Sequence, residues 1–206
     1  MNEMLRSPRD EDAATVAGLM SRDWPDPIDT QSVLRSWTSP GIDRELDVRL
    51  GQACYAIVHG LDRARVWLDI RGHPSGELLD WAEARATERG RRIFAGAWST
   101  NESLLGVLVT RGFWPVRYSQ RMEIDLGALT PEPSWPEGVQ VRTFRFGDER
   151  AFYELHQETF REFRHRGLRR AGLGVDAESL TGANRLYEET GMKVSARFDI
   201  FEKVIA

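Results

Sequence analysis

The sequence predicts an α/β protein with a mixed, mostly antiparallel sheet flanked by helices, built as one near-complete copy of a folding unit and a truncated second copy. Three observations carry this. Apolar segments with near period-2 alternation and β-forming residues recur along the chain, QACYAIV and RARVWLDI among them. Amphipathic helical stretches such as GELLDWAEARATER separate them. The chain also nearly repeats itself: RRIFAGAWSTNESLLGVLVTRGF (91–113) aligns with RRAGLGVDAESLTGANRLYEETGM (169–192) if one gap follows Ser103.

The elements follow in order. LRSPRDEDAATVAGLM (5–20) reads as a short strand, an acidic turn and a helix start, and VRTFRFGDERAFYELH (141–156) reads the same way. DTQSVLRSW is helix-like, and ELDVRLGQACYAIVHGLDRARVWLDI is hairpin-like. A helix over GELLDWAEARATER is closed by Gly90. Each half of the alignment then gives a strand, a polar turn, a helix and a glycine stop. WPVRYSQRMEIDL follows one stop and KVSARFDIFEKVI the other, both as strands. Between the copies, GALTPEPSWPEG is too rich in proline and glycine for a helix or a central strand. The expected organisation is therefore a first copy over 1–126, a stiff linker over 127–138 and a second copy over 139–206.

The second copy is short. Arg6 to Arg91 spans 85 positions, whereas Arg142 to Arg169 spans 27, so the centre is missing. A single amphipathic stretch replaces it, with Phe152, Leu155, His156, Phe160 and Phe163 on one face. A shortened sheet leaves an open edge, through which the remnant either joins the first copy's sheet or pairs with a second chain as a homodimer.

Composition excludes several functions. A net charge of −4 with interspersed signs gives no footprint for a phosphate backbone, so nucleic acid is not an expected partner. No stretch has the ~20 apolar residues of a membrane span, and the charged N-terminal residues do not read as a secretory leader, which places the expected location in the cytoplasm. The single cysteine, Cys54, reads as a buried strand residue. His156 reads as a half-buried packing residue, since no metal-spaced ligand accompanies it. Most tryptophans read as core, with a cleft lining as the alternative.

The segment Gly172 to Met192 resembles the GNAT superfamily of acyl-CoA-dependent N-acetyltransferases, in particular its tandem two-copy members, mycothiol synthase among them. The residues that carry the resemblance are Ala183, Leu186, Tyr187, Glu188, Gly191 and Met192, which match a helix pattern of that superfamily. The resemblance implies acetyl-CoA as co-substrate, a small-molecule or peptide amine as acceptor, and Tyr187 as the acid that protonates the departing thiolate. A phenol with a pKa near 10 stays protonated for that role at neutral pH. The packing alternative for Tyr187 is a buried ring with a wetted hydroxyl. Ser179 stands at the expected helix start as an N-cap. The alignment places Val109 opposite Tyr187 in the first copy, where no proton donor is available.

The superfamily holds the cofactor pyrophosphate in a glycine-rich loop that opens a helix. The corresponding place reads RGHPSG (71–76), so Arg71, Gly72, Ser75 and Gly76 are the expected cofactor-binding residues, although Pro74 stands at a glycine position and has no N–H to offer. The same loop also reads as an ordinary helix entry. RRAGLG (169–174) matches the motif as a string, but its alignment with a strand argues against a phosphate loop. Glu178, Glu188 and Glu189 read mainly as solvated helix-end residues rather than bases. Two functions stay open at this point: an acetyltransferase with an unusually completed site, and a non-catalytic module derived from a tandem acetyltransferase. A damaged or artificially joined gene would also explain the missing centre.

Overall fold

The computed structural model describes residues 5–128, 149–178 and 182–205. The Pro-rich segment beyond Ala128, the expected strand over 141–146 and Ser179 lie outside the described residues. Seven strands form one sheet in the order β1-β2-β3-β4-β7-β5-β6. The chain divides into two compact units, Met1–Arg117 with Asp199–Ala206, and Tyr118–Phe198.

In the first unit, α1 (Ala13–Asp23) follows a single 3₁₀ turn, and α2 (Thr30–Trp37) starts where the Asp29 carboxylate accepts from the Ser32 amide. The segment ELD, expected as strand, instead forms one helical turn, α3 (Arg44–Asp47), because Asp43 caps it by accepting from the amides of Glu45 and Leu46. β1 (Val48–Leu50), β2 (Cys54–Gly60) and β3 (Arg65–Gly72) form an antiparallel meander. α4 (Gly76–Arg89) then carries the chain across to β4 (Arg92–Trp98), which runs parallel to β3. The closing Gly90 is extended rather than left-handed, and glycine is needed there because a Cβ would lie 2.8 Å from the Ala64 carbonyl oxygen.

The two faces of this sheet bury separate cores. Val66, Leu68, Ile70, Ile93, Ala95 and Ala97 pack against α4 and against Leu104 and Leu108 of α5 (Glu102–Thr110). Tyr55 and Ile57 face the other way, toward α1 and α2. There the Tyr55 hydroxyl accepts from the Trp37 indole at 3.0 Å, and burial pushes its ionisation far up, so it is a fixed neutral group. Cys54 is buried in β2 as expected.

The last strand, β7 (Lys193–Val204), runs from the second unit into the first, where its end lies beside β4. The Ile205 amide donates to the Arg91 carbonyl at 2.8 Å, Glu202 pairs with Arg92, and Lys203 pairs with Glu83 of α4. Conversely, β5 (Trp114–Asp125) leaves the first unit to pair in the second with β6 (Arg170–Asp176). Around that pair, Met122, Ile124, Phe160, Val175 and Met192 form a core under α6 (Glu149–His165) and α7 (Ala183–Glu189). Along α6 the expected apolar face holds at Phe160, buried, and at His156 and Phe163, half-buried, whereas Leu155 is 44% exposed.

Two stretches follow the same course. β5 and β7 both have 12 residues, and each follows a left-handed glycine, Gly112 or Gly191, that ends a helix. At one end the Phe113 amide donates to the Leu108 carbonyl, and at the other the Met192 amide donates to the Tyr187 carbonyl.

Asp47 is the most exacting polar group of the first unit, since it is 1% exposed and accepts from Arg85 at 2.8 Å and Arg89 at 2.7 Å. Burial opposes its ionisation, but the Asp43 amide and the two guanidinium groups outweigh this and hold its carboxyl below the usual range. A depressed carboxylate contributes stability above its unfolded pKa and loses it as pH falls through the folded value. Asp47→Asn should therefore cost about 3–5 kcal/mol in urea unfolding at neutral pH. It should also flatten the loss of stability that the parent chain shows below about pH 4. An unchanged acid limb would assign that loss to other carboxylates.

Candidate functional site

The site follows from how β3 and β4 pair. Their parallel ladder runs through Arg65↔Arg92, Val66↔Ile93, Trp67↔Phe94 and Leu68↔Ala95, and then stops. β3 continues through Asp69–Gly72 and β4 through Gly96–Trp98 beyond the end of the ladder that joins them, so the two strands open into a wedge. β3 still pairs with β2 along this length, and odd-numbered residues turn their backbone groups to β2, as the bonds His73 N–H to Ala53 and Leu61 N–H to Arg65 require. Ile70 therefore turns its N–H and C=O toward the opening. Groups of this kind at a sheet interior are satisfied only by a ligand or water.

At the head of the wedge, the residues RGHPSG run from the end of β3 into α4 as expected. Ser75 is the N-cap, its hydroxyl accepting from the Leu78 amide at 3.2 Å. Gly76 and Glu77 open the first turn, where helix amides have no partner within the helix. Gly72 has φ +74, and a Cβ there would lie 2.2 Å from the Ala53 carbonyl oxygen. Its glycine is thus used in approaching β2, and the next amide, His73, donates to the same carbonyl at 3.0 Å. Arg71 is 5% exposed, pairs with Asp69 at 2.7 Å and stacks over the Trp24 ring at 4.9 Å. Its guanidinium is held on the α1 and α2 face of the sheet and its Nε has no hydrogen-bond partner.

That face carries residues that belong to none of the sequence motifs. Tyr55 and His59 from β2, Trp67, Asp69 and Arg71 from β3, and Trp98 from β4 alternate onto it. Trp24 packs edge-to-face on Trp98 at 5.3 Å. Burial pushes the His59 imidazole down, which favours its neutral form. The signal for this set was an aspartate and an arginine inside the apolar run VWLDIR, two apart and hence on one face. The tryptophans differ from the core expectation: Trp37 is buried, but Trp24, Trp67, Trp81 and Trp98 are half-buried and Trp114 is 44% exposed.

Tyr187 lies in the second unit on α7. Its ring is half-buried against His156 at 5.4 Å between centroids, and His156 in turn meets Phe160 at 5.9 Å. His156 is thus a packing residue, as its isolation predicted. Among the described residues the helix runs from Ala183, behind Gly182 in a left-handed conformation. The hydrogen bonds at the helix ends also correct the counterpart of Tyr187: Tyr187 and Leu108 occupy the same place before the glycine, so the counterpart is Leu108, 1% exposed, rather than Val109. The alignment with its gap pairs the same two residues, and Val109 is reached only if the gap is left out of the count, which explains the error; a leucine still cannot donate a proton. Gly172 and Gly174 lie within β6, so RRAGLG is a strand and no phosphate loop.

Among the described residues, no group of histidine, cysteine and carboxylate side chains is arranged to hold a metal, and no helix is long and apolar enough to cross a membrane. No protein-family model matches the chain, and no curated protein does. Solved structures do. A GCN5-related N-acetyltransferase from Sphaerobacter thermophilus is 25% identical with a TM-score of 0.71, covering 98% of this chain and 95% of that one. A tandem GNAT protein from the clavulanic acid biosynthesis pathway has a TM-score of 0.70 at 10% identity, covering 98% of both chains. An acetyltransferase from Pyrococcus horikoshii, so described in its structure, has a TM-score of 0.61 at 12% identity and covers 99% of this chain. The fold is that of the GNAT acetyltransferases.

Gly72→Ala tests how tightly the loop is set. Strain at the positive φ and the clash with Ala53 should cost about 1–3 kcal/mol in thermal or urea unfolding. An unaffected stability would mean that the loop relaxes freely.

Proposed function

We propose that the chain is an acyl-CoA-dependent acyltransferase that moves an acetyl group from acetyl-CoA to an amine of a small molecule or peptide, with the acyl donor held by the first unit. The observation that carries this is the β3–β4 ladder that ends after Leu68 and Ala95 while both strands continue. A strand wedge with an inward amide, closed at its head by a helix N-terminus, fits an extended thioester arm ending in a pyrophosphate. When bound, acetyl-CoA supplies the activated acyl group.

The chain's own residues divide the work. The Ile70 amide is placed to hold the thioester carbonyl and to stabilise charge developing on its oxygen. Ser75, Gly76 and Glu77 present the first turn of α4 to the phosphates. Pro74 brings no donor and the Glu77 carboxylate opposes an anion, so this cradle is weaker than a glycine-rich one. Arg71 contributes through Asp69 and Trp24 rather than by reaching the phosphates. Asp69 draws the acceptor amine to the wedge and takes its proton, and the half-buried tryptophans shape an apolar entrance. In the first unit Leu108 stands where the resemblance expects the acid for the leaving thiolate, and Tyr187, which the resemblance names for that role, belongs to the second unit.

The constant offset of the helix end and the long strand in the two halves supports a tandem GNAT origin with a shortened second copy. Its match to solved chains along nearly their whole length supports that shortened form as a regular one rather than a damaged gene. A second reading, a non-catalytic module, is favoured by Pro74, by Glu77 in the helix first turn and by Leu108 in the place of a proton donor.

Calorimetric titration with acetyl-CoA separates the two. Saturable binding is expected, and its absence at high concentration would favour the non-catalytic module. With an amine acceptor found by screening, Asp69→Asn should lower kcat by about 10²–10⁴-fold with binding of acetyl-CoA retained. Tyr187→Phe should lower turnover without lowering stability. Unchanged turnover would leave Tyr187 as a packing partner of His156.

A further inference from the structure

Three alternate residues of β3 put three different chemistries side by side on one face of the first unit. In the β2–β3 ladder Arg71 lies opposite Tyr55, Asp69 opposite Ile57 and Trp67 opposite His59, and Tyr55 and Ile57 line the core under α1 and α2. An aromatic ring, a carboxylate and a guanidinium therefore follow one another along the strand, each about 7 Å from the next at its base. The tips of the last two converge in an ion pair at 2.7 Å. Trp24 and Trp98 bring further half-buried rings to the same place, Trp24 against the guanidinium at 4.9 Å and edge-on to Trp98 at 5.3 Å.

Arg71 is 5% exposed, and its buried Nε has no hydrogen-bond partner, so the cation depends heavily on Asp69. Acetyl transfer acts on that dependence. As the amine nitrogen bonds to the acetyl carbon, the thioester C–S bond breaks, its electron pair leaves on sulfur, and an amine proton passes to Asp69. The proton discharges the anion beside Arg71. A guanidinium cannot shed its own charge, and a buried cation left without its anion is strongly unfavourable. A substrate that carries a carboxylate next to its amine resolves this, because the carboxylate pairs with Arg71 as Asp69 becomes neutral. A simple monoamine offers no such replacement.

We infer that the acceptor is a free α-amino acid with an apolar side chain, its amine on Asp69, its carboxylate on Arg71 and its side chain among Trp24, Trp67 and Trp98. An α-carbon holds amine and carboxylate adjacent, which matches the close approach of Asp69 and Arg71, whereas the amine of a peptide N-terminus has no carboxylate beside it. The apolar substituent matches the aromatic end of the same row. The inference rests on the acyltransferase reading and makes Arg71 a specificity-determining residue.

Release of thiol from acetyl-CoA by the full chain tests it, with L-phenylalanine and L-leucine offered beside phenethylamine and isoamylamine, which lack the carboxylate, and L-phenylalaninamide, which neutralises it. The amino acids should be favoured in kcat/KM by at least about 10²-fold over these analogues. Arg71→Met, its fold checked by circular dichroism, should bring that ratio toward one, whereas a purely structural guanidinium would leave the ratio alone. The comparison among acceptors uses the parent chain and stands even where the variant does not fold. Turnover of the amines or the amide equal to that of the amino acids would overturn the inference and leave the acyltransferase reading intact. Where no acceptor at all is turned over, that reading fails and calorimetric titration decides the inference. L-phenylalanine should then bind saturably and about 10²-fold more tightly than phenethylamine. Absent binding, or equal binding of the two, would overturn it.

Discussion

The first unit depends on the two different neighbours of β4. On one side β4 is bound to β3 for only four residues; on the other it meets the far end of the chain, through Glu202 on Arg92 and Ile205 on Arg91. The C-terminal neighbour lets β4 remain a central strand even though it parts from β3. Without it, the unpaired half of β4 would lack a ladder on both sides, and exposed backbone groups of that kind are costly when buried. The opening beside Ile70 is therefore a consequence of how the chain closes on itself.

This closure is a long-range one. Residues near 92 and near 202 must meet before the sheet of the first unit is whole, so it cannot be completed by its own contiguous sequence. The second unit has the reciprocal dependence, since β6 pairs with a strand that begins in the first unit. Each unit consequently contains part of a strand that lies in the other copy by sequence.

Local patterns made much of this legible. The alternation in QACYAIV and RARVWLDI located β2 and β3, the glycine stops located the ends of α5 and α7, and the self-similarity of the two halves fixed the order strand, helix, glycine, strand. The one-turn helix at Arg44–Asp47 was missed because its signal is a single cap, Asp43, and one turn is too short to show a helical period. Counting without the gap put Val109 in the place of Leu108, an error of one residue that the gapped alignment and the hydrogen bonds at the helix end both correct. The wedge itself was not legible: no residue type marks where a ladder stops, and the aromatic face around Asp69 draws on Trp24, distant in sequence. Arg71 shows the opposite failing of motif reading, since a residue selected for its charge is buried and engaged with Asp69 and Trp24.

The central claim is that the opening between β3 and β4 receives the acyl end of the donor. Amide hydrogen exchange with and without acetyl-CoA, resolved at single residues, addresses it most directly. The account predicts that the cofactor slows exchange at Ile70 and in the first turn of α4, at Gly76 and Glu77, while leaving β6 unchanged. Slowing confined to the second unit around Tyr187, with Ile70 unaltered at saturation, would contradict it.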